Sequence, residues 1–438
     1  MKLTHQRRSD RSVQLPSVNR YYELSRIARP LGRARDFIRR QKRNYRVAIT
    51  RSSVSSFLMN LTAQYNAIYT VALGADSVTL GTISSIGGGI SALISTPVGW
   101  LVDRSGIKRF YTLAMALLAL GALTYAVAPS WEWIVAGTIL FSISMRLVGT
   151  GCSVICADSV KNQDRATAQN LCVTLASSAS LIAPLIAAYL TTVSGGLNAE
   201  GLRPLYYIRL VGYVGLLLLV ATQLHEPERA NSSATRLDAG FIGGFRDMFA
   251  GHRVLRRWIT VSALTSLPMA MTSPFLQLYA HEVKGADQYL LGLMATATVL
   301  TRMAFGIPLG RLADRVGRKK VIFVLTPLWY TSNLLLAFST NSATLILSAS
   351  LQTFYAISSG VMSAMTLELV PVDRVGKWSG ALGLFRGLVA ILAPAISGLI
   401  WRELGPLYVF LIPLVIDLVL RVPLLASMPE TLEARPTV

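Results

Sequence analysis

Charged residues are scarce in this chain. Of its 438 residues, 15% are charged and 52% are hydrophobic, and the mean hydropathy is +0.49. A water-soluble chain of this length would form two or three domains and carry more charge. Acidic residues are scarcer than basic ones, since the chain contains 22 Asp and Glu and 42 Lys and Arg. The composition therefore excludes an ordinary soluble globular protein and favours a basic membrane protein.

Cysteine, histidine and catalytic motifs are also few. The three cysteines, Cys152, Cys156 and Cys172, lie in or beside apolar segments, so we expect no disulfide framework. The four histidines are scattered, and metal-ligand spacing, a Walker loop and a nucleophile triad are missing. We therefore predict no metal, no cofactor and no enzymatic activity. Because the first 50 residues contain no apolar core, we also expect no cleavable secretory signal.

Long apolar segments recur along the chain. Each is close to the roughly 20 residues that an α-helix needs to cross a bilayer. We predict spanning helices near residues 52–74, 78–102, 109–128, 131–157, 168–193, 205–224, 256–282, 288–313, 319–340, 342–369, 377–402 and 406–427. The predicted fold class is therefore an all-α integral membrane protein with twelve transmembrane helices.

One short charged pattern occurs twice, each time between two apolar segments. The first copy runs from Gly99 to Arg109, and the second runs from Gly310 to Lys320, 211 residues later. Asp-Arg followed by a basic cluster cannot continue a helix in hydrocarbon, and glycine permits the backbone conformation of a tight turn. Each copy is therefore predicted to form a charged turn between membrane helices.

Other residues recur at nearly the same offset, which indicates a duplication. The pairs are Tyr69 and Tyr279, Pro97 and Pro308, Asp158 and Glu368, and Ala183-Pro184 and Ala393-Pro394. A run of such pairs in one order predicts two pseudo-symmetric six-helix bundles, residues 52–224 and 256–427, joined by a linker at 225–255.

On these two turns the chain resembles the major facilitator superfamily of secondary transporters, whose signature loop reads roughly Gly-x-Leu-Ala-Asp-Arg-x-Gly-Arg-Lys. The second copy fits that loop almost completely, whereas the first departs from it at Ile107. The resemblance covers about residues 50–427. It implies alternating access, with a substrate site at the bilayer midplane between the two halves.

The resemblance also implies a gating role for the two turns. Asp103 and Asp314 would each face a helix N-terminus across the halves, where the helix dipole favours negative charge. Arginines of the turns would pair with acids on neighbouring helices. The residues expected to form the gate are Gly99, Asp103, Arg104, Gly106, Arg109, Asp158, Gly310, Asp314, Arg315, Gly317, Arg318 and Glu368.

Basic residues are unevenly distributed among the predicted loops. Most lie in residues 1–51, in alternate loops or at the C-terminal end. Those in or beside the opposite loops are Arg203, Arg209, Lys284 and Arg402. By the positive-inside rule, this bias predicts a multi-pass protein of the cell membrane whose termini, linker and tail at 428–438 are cytoplasmic. The net charge of +20 is then a consequence of topology, and we predict no nucleic-acid partner.

The N-terminal segment, residues 1–51, contains 15 Lys or Arg and three acids, with Tyr, Leu, Ile and Phe interspersed. Two interpretations are equally supported. The segment is either a solvated basic tail or a helix that binds the anionic headgroups of the lipid bilayer. An organellar transit peptide is a less favoured third interpretation.

Three arginines lie within apolar segments. Arg146, Arg302 and Arg386 lie on predicted helices 4, 8 and 11, which line the central cavity in the resembled fold. At 1.5 Å per residue, each is roughly 15–18 Å from the cytoplasmic ends of the helices, about the bilayer midplane. Snorkelling or pairing with helix carbonyls is the structural alternative. A cluster of cations at one depth favours a site for an anionic substrate or substrate group.

Polar residues on helices 1 and 7 are further candidates for substrate binding. They are Asn60, Gln64, Tyr69, Gln277 and Tyr279. Polar packing between helices explains them equally well.

One carboxylate, Asp417, lies deep in an apolar segment, on predicted helix 12. It is a candidate proton carrier. Arg421 lies four residues further on, on the same helix face, so a local ion pair is the favoured interpretation.

The pattern from Ala179 to Ala188 on helix 5 bears on the direction of transport. Members of the resembled family that export drugs in exchange for protons often show Gly-x-x-x-Gly-Pro-x-x-Gly-Gly there, and this chain has alanine at every such glycine. The sequence therefore favours a monomeric exporter of a small anionic or amphipathic solute, with proton coupling as an option. The alternatives are an uptake symporter for a metabolite or sugar and a non-transporting membrane sensor.

Overall fold

The computed structural model describes residues 36–105, 107–160, 164–226, 253–369, 375–428 and 430. Side chains are not described at 96–105, 107, 150–154, 156–158, 165–166, 253–256, 367–369 and 375–381. The described chain is almost entirely helical and contains no strand. Eleven of its segments are long and apolar enough to cross a membrane by length and composition.

The N-terminal bundle contains six passes, which we number α1 to α6. They are α1 (Arg43–Thr62, a 3₁₀ turn at Ala63–Tyr65, then Asn66–Ala72), α2 (Ser77–Ser105), α3 (Ile107–Ala126), α4 (Trp131–Ser159), α5 (Arg165–Ser180 and Ala183–Val193) and α6 (Ala199–Gln223).

The C-terminal bundle repeats this order. Its passes are α7 (Arg253–Thr272 and Leu276–Glu282), α8 (Gln288–Val316), α9 (Arg318–Phe338), α10 (Ser342–Leu369), α11 (Val375–Glu403) and α12 (Tyr408–Ile416, a π-helical turn at Asp417–Arg421, then Val422–Ala426). The predicted twelve-helix, two-bundle architecture is confirmed, because these passes coincide with the predicted segments to within a few residues at most ends.

Helix α1 differs most from its predicted bounds. It begins at Arg43 rather than near residue 52, because the basic residues Arg43, Arg46 and Arg51 are part of the helix. These arginines lower the hydropathy of α1. This explains why α1 is not among the eleven segments that are long and apolar enough to cross a membrane. Arg51 is 4% exposed, with its guanidinium 5.2 Å from the centre of the Tyr111 ring.

The position of Arg209 is a correction to the sequence analysis, which places this residue in or beside a loop. It lies ten residues inside α6 and is 4% exposed. Its guanidinium donates to Thr62 Oγ1 at 3.0 Å and lies against the rings of Phe141, Tyr213 and Tyr125. The aromatic faces stabilise the buried cation, which sequence spacing alone cannot reveal.

Helices α1 and α7 are interrupted at corresponding places, the 3₁₀ turn at Ala63–Tyr65 and the turn at residues 273–275. Pro274 accounts for the break in α7, because proline has no backbone N–H to donate. The break in α1 contains neither proline nor glycine, so no local signal predicts it. Two interrupted helices at related positions are a common feature of transporter folds.

The face of the bundle where α1 begins and α12 ends is called here the basic face, and the other is the opposite face. Contacts at the basic face show that the first helix of the N-terminal half meets the end of its last helix there. Asn44 Nδ2 donates to the carbonyl of His225 at 2.8 Å, and the amide of His225 donates back to Asn44 Oδ1 at 3.0 Å. The two bundles themselves, however, meet near the opposite face.

One buried apolar cluster joins the two bundles near the opposite face. It contains Tyr65 and Tyr69 of α1, Phe275 and Tyr279 of α7, and Met294 of α8. Two other clusters lie within single bundles, one around Phe110 and Tyr213 and one around Trp258 and Met365. The interface between the halves is therefore packed at one end of the molecule.

Glycines allow α2 and α11 to cross at very short distance. A Cβ added to Gly81 would lie 2.3 Å from the carbonyl oxygen of Pro394, and one added to Gly398 would lie 2.5 Å from that of Ser77. The amide of Ala395 also donates to Ser85 Oγ at 3.0 Å. Backbones can approach this closely only where side chains are absent, so these glycines allow the opposite face to close.

Helices α5 and α8 form the second contact between the halves. A Cβ added to Gly292 of α8 would lie 2.9 Å from the carbonyl oxygen of Pro184 and 3.2 Å from the Cβ of Ala188. Gln288 Nε2 donates to Thr192 Oγ1 at 3.0 Å, and Tyr65 Oη donates to the carbonyl of Gln288 at 3.0 Å. Together with the α2–α11 crossing, these contacts close the opposite face.

Candidate functional site

A cavity of about 590 Å³ extends from mid-depth to the basic face. Its described lining belongs to the C-terminal bundle and consists of charged residues at the two ends, with mostly small residues, Ile357 and Val361 between them. The lining includes Arg302, Gly306, Gly310, Ala313, Asp314, Arg318, Ala356, Ser359 and Gly360. The cavity exists because glycine and alanine on α8 and α10 leave space that larger side chains would fill.

Arg302 marks the inner end of this cavity. It is exposed, and it forms no hydrogen bond or ion pair with a described residue. Asp314 lies 12 residues further along α8, or roughly 18 Å at 1.5 Å per residue. A guanidinium at mid-depth of a membrane protein is costly unless water, a partner or a ligand solvates it. The cavity therefore gives Arg302 access to solvent from the basic face, which allows it to remain charged.

Arg146 and Arg386 flank the α2–α11 crossing at a similar level. Arg146 Nε donates to Ser91 Oγ on α2 at 2.5 Å. The next residue, Ala92, packs against Gly387 of α11, where an added Cβ would lie 2.6 Å from the Ala92 Cβ. Gly387 follows Arg386 directly in the sequence. The structure thus places two of the three arginines at one level, one on each side of the crossing.

Arg386 itself is half-buried and forms no ion pair or hydrogen bond with any described residue. The three arginines lie on α4, α8 and α11, at similar distances from the opposite face. They are 15, 14 and 17 residues from the helix ends at Trp131, Gln288 and Glu403. The predicted common depth is therefore present in the structure.

The polar candidates on α1 and α7 are mostly packed rather than facing the basic-face cavity. Tyr69 donates to the carbonyl of Tyr125 at 2.9 Å, and Tyr279 lies in the same buried cluster, edge-on to Trp401. Asn60 donates to the carbonyl of Ser56 on its own helix, and Gln64 is 3% exposed. For the two tyrosines, these contacts favour a role in closing the opposite face.

Gln277 differs from the others. It is partly exposed, and its Oε1 accepts no hydrogen bond from a described residue. It lies just after the break in α7, and the Oε1 atom itself is buried inside the bundle. Gln64 Nε2 is likewise buried without a hydrogen-bond partner among described residues, so Gln64 and Gln277 are the polar candidates with unused hydrogen-bonding capacity.

The second charged turn is described in full. Gly310 lines the cavity, and Gly317 ends α8 with a φ of +116°, a conformation that favours glycine. Asp314 pairs with Arg318 at 3.3 Å, and Asp314 and Arg315 are exposed. Among described residues Asp314 makes no contact across the halves, and the contacts described between the bundles lie near the opposite face.

The first charged turn is described only in part. Arg109 is exposed at the start of α3. Gly106 lies outside the described residues, and nothing is described of Gly99, Asp103, Arg104, Asp158 and Glu368 beyond their backbone. Their gating roles stay predictions.

The predicted Asp417–Arg421 ion pair is present and buried. Asp417 Oδ1 accepts from Arg421 Nε at 2.5 Å, and Oδ2 accepts from Arg421 at 2.8 Å and from Tyr330 Oη at 2.7 Å. Arg421 also donates to Thr326 Oγ1 at 3.1 Å. These partners occupy both carboxylate oxygens. The contacts favour a structural ion pair, and a role as proton carrier stays a prediction.

Two glutamates that the sequence analysis does not identify contact the charged turns. Glu430 accepts from the amides of Arg318 and Lys319, each at 3.1 Å, and Glu226 accepts from the amide of Lys108 at 3.0 Å. Each glutamate follows the last helix of its bundle and contacts the start of the third helix. An available signal was that both lie beside a proline, Pro227 and Pro429.

Comparisons with known proteins agree with this architecture. A model of the Major Facilitator Superfamily matches residues 49–294 and 260–436. The inner membrane transport protein YajR of Escherichia coli (strain K12) is 30% identical over 146 residues, 33% of this chain and 32% of that protein. An uncharacterized transporter of Buchnera aphidicola subsp. Baizongia pistaciae is 31% identical over 153 residues, 35% of this chain and 38% of that protein. Both alignments thus cover about a third of the relatives' length.

Solved transporters share the fold over nearly the whole chain. The nucleoside transporter NupG is similar with a TM-score of 0.71 and 16% identity, over 90% of this chain and all of that one. A D-xylose-proton symporter is similar with a TM-score of 0.65 and 13% identity, over 89% of this chain and 97% of that one. At these identities the likeness shows the fold alone. Because the family model matches most of this chain, the chain belongs to the Major Facilitator Superfamily.

Proposed function

We propose that the chain is a secondary active transporter that exports small organic anions by alternating access. The observation that carries the proposal is Arg302, a cation without a described partner at mid-depth in a cavity that reaches the basic face. The opposite face is closed by the two glycine-mediated helix crossings. Such an arrangement gives a solute access to a cationic site from one side of the membrane.

The charge at mid-depth determines the substrate class that we propose. Arg146 and Arg386 supply two further guanidinium groups at a similar depth, and the one described carboxylate deep in a helix, Asp417, is already paired with Arg421. An anionic group on the substrate would offset the cost of holding these cations away from bulk water. Arginine is suited to this role because its planar fork binds a carboxylate or phosphate with two hydrogen bonds.

The charged turns supply the gate in this proposal. In the state described, Asp314 is exposed and paired within its own turn. When the basic face closes, Asp314 and Asp103 would each reach a helix N-terminus of the other half, where the dipole stabilises negative charge. Closing would require the glycine crossings at the opposite face to separate.

Export is the direction that we propose, with the basic face in the cytoplasm. Its support is the small-residue pattern on α5, whose Pro184 and Ala188 pack on Gly292 of α8. Proton exchange is the proposed energy source. An uptake symporter would pass through the same state, so the direction must be measured.

Lipid is the second partner that we propose, for a protein acting as a monomer in the cell membrane. Residues 36–40 form a short helix whose Phe37 and Ile38 pack against the cluster around Tyr45. Arg39 and Arg40 on the same helix are exposed. Basic side chains held at the edge of a bilayer attract anionic headgroups.

Counterflow in proteoliposomes tests this proposal. Vesicles loaded with an unlabelled organic anion, such as benzoate or a sulfonate, should accumulate the labelled anion, and an imposed proton gradient should drive export. Arg302→Ala should reduce counterflow strongly. Arg402→Ala is the matched control, because it removes an arginine from the opposite face, where Arg402 pairs with Glu403 at 2.7 Å.

Four outcomes would contradict parts of the proposal. Counterflow of neutral or cationic solutes alone would exclude the anion site, and equal effects of the two arginine variants would exclude Arg302 from the site. Gradient-driven uptake without export would favour the symporter. Absence of counterflow with every solute class would favour the non-transporting sensor.

A further inference from the structure

A second cavity lies beside one of the mid-depth arginines, and it is apolar. It has a volume of about 380 Å³ and lies between α7 and α11. Apart from Thr260, its lining is hydrocarbon, contributed by Ile259, Ala263, Leu264, Leu267, Phe385 and Val389. A volume of this size is at the lower end of the range for cavities that hold small organic ligands.

Arg386 is a neighbour, on α11, of two residues that line this apolar cavity. It follows Phe385 and precedes Val389 by three residues, so its Cα is roughly 100° and 60° around the helix from these two lining positions. Gly387, the next residue, faces α2. Arg386 therefore lies on α11 between the apolar cavity and the crossing where Arg146 contacts Ser91.

From this juxtaposition we propose that the transported anion is amphipathic, with its charged group at Arg386 and its hydrocarbon part in the α7–α11 cavity. The proposal rests on the proposed transport function and specifies its substrate class. Neither Arg386 nor the apolar cavity alone defines the substrate class. A guanidinium without a described partner indicates an anion, and a hydrocarbon cavity that begins next to it indicates what the anion is attached to.

The length of the anion's hydrocarbon chain is the property to vary, because it determines how much apolar surface is buried on binding. Burying one methylene group from water stabilises a complex by an amount that corresponds to an increase in affinity of about fourfold. A series of linear anions with the same headgroup should therefore bind more tightly with each added carbon until the cavity is filled. A site that recognises only charge would bind every member of the series with similar affinity.

The test uses linear alkanesulfonates, from ethanesulfonate to octanesulfonate, because sulfonates stay anionic at all working pH values. Affinities would be measured from the thermal stabilisation of the purified full chain, below the micelle-forming concentration of each compound. Alkyltrimethylammonium ions of matching length serve as the cationic series. We expect the sulfonate affinity to rise about fourfold per methylene, with no comparable effect in the cationic series.

Two variants separate the charged and apolar parts of the site. Ala263→Phe should fill the cavity and flatten the dependence on chain length while short sulfonates still bind. Arg386→Gln should weaken binding of all sulfonates by a similar factor. Leu388→Phe is the control for adding an aromatic ring to this region, because Leu388 is 48% exposed and does not line the cavity.

The outcomes distinguish this inference from the proposed function. If short sulfonates stabilise the protein but affinity does not rise with length, the amphipathic substrate is wrong and the anion site stands. If no sulfonate binds, both proposals fail. If Ala263→Phe retains the wild-type length dependence, the hydrocarbon part lies elsewhere. If anionic phospholipid stabilises the protein and octanesulfonate does not compete with it, the cavity holds a membrane lipid and the inference is overturned.

Discussion

The carboxylate of Glu430, just beyond α12, accepts a hydrogen bond from the backbone amide of Lys319 at the start of α9, at 3.1 Å. Lys319 Nζ in turn donates to the carbonyls of Ala426 and Met428, at 2.7 and 2.6 Å. The first turn of α9 is thus attached to the end of α12. A carboxylate at this position satisfies amides that have no partner within the helix and favourably opposes the helix dipole.

This contact predicts a stabilising role for Glu430. Glu430→Ala should lower the free energy of unfolding by about 1–2 kcal/mol, the usual loss for a helix cap. Thermal unfolding of the purified protein would measure it. Glu403→Ala is the control, because Glu403 is 63% exposed in its ion pair with Arg402 and should contribute little. Equal destabilisation by the two variants would show that the cap has no special role.

The α2–α11 crossing predicts a way to shift the conformational equilibrium. Gly398→Leu should prevent closure of the opposite face, because even a Cβ there would lie 2.5 Å from the Ser77 carbonyl oxygen. Overpacking costs of about 1–3 kcal/mol would move the population toward the state closed at the basic face by a factor of roughly 5 to 150.

Accessibility of a cavity residue measures that shift. A cysteine at Ser359, an exposed position in the cavity lining, should react more slowly with a hydrophilic maleimide in Gly398→Leu. Gly215→Leu on α6 is the control, since nothing lies within 4 Å of a Cβ added there. Unchanged labelling in Gly398→Leu would mean that the crossing does not control access to the cavity.

The buried ion pair of α12 predicts unequal effects of single and double substitutions. Asp417→Asn leaves the Arg421 charge buried without its carboxylate, at a cost of about 3–5 kcal/mol in the free energy of unfolding. The combination of Asp417→Leu with Arg421→Met removes both charges and should recover most of that loss. Equal stability of the single and double variants would argue against a coupled pair.

The same double variant tests whether Asp417 carries protons. Both of its carboxylate oxygens are occupied by Arg421 and Tyr330, so we expect proton-driven transport to continue when the pair is replaced. Proton-driven transport and counterflow would be compared in proteoliposomes. Loss of the proton-driven component with counterflow intact would show that Asp417 is the proton carrier after all.

Topology is predicted by the distribution of basic residues and can be labelled directly. In a cysteine-free background, a cysteine at Thr340, in the exposed loop after α9, should react with an impermeant reagent added outside intact cells. A cysteine at Ser232, in the linker outside the described residues, should react only after permeabilisation. Labelling of both positions from one side would overturn the assignment of the basic face to the cytoplasm.

Features that repeat along the chain could be predicted from sequence. The spanning helices follow from length and hydropathy, and the bundles follow from the offset between Gly99 and Gly310. The common depth of Arg146, Arg302 and Arg386 follows from the rise of a helix. Each of these properties depends only on position along one helix or on comparison of two stretches of sequence.

Features that depend on contacts between distant helices could not be predicted. The burial of Arg209 on α6 depends on the rings of Tyr125 on α3 and Phe141 on α4, and the break in α1 has no local signal. Glu226 precedes its neighbouring proline, whereas Glu430 follows its own. The duplication of the sequence therefore does not align these two glutamates, which cap corresponding helices. The apolar cavity beside Arg386 also becomes visible only when α7 and α11 are placed side by side.

The most direct test of the central claim is the binding of organic anions to variants of Arg302. Substrate-dependent thermal stabilisation of the purified chain would be compared across anionic, neutral and cationic solutes. We predict that anions stabilise the wild type. Arg302→Lys should bind them more weakly because it keeps the charge and loses the two-pronged geometry, and Arg302→Ala should bind them more weakly still. Stabilisation by cations alone, or normal anion binding by both variants, would contradict the account and make Arg302 a structural residue.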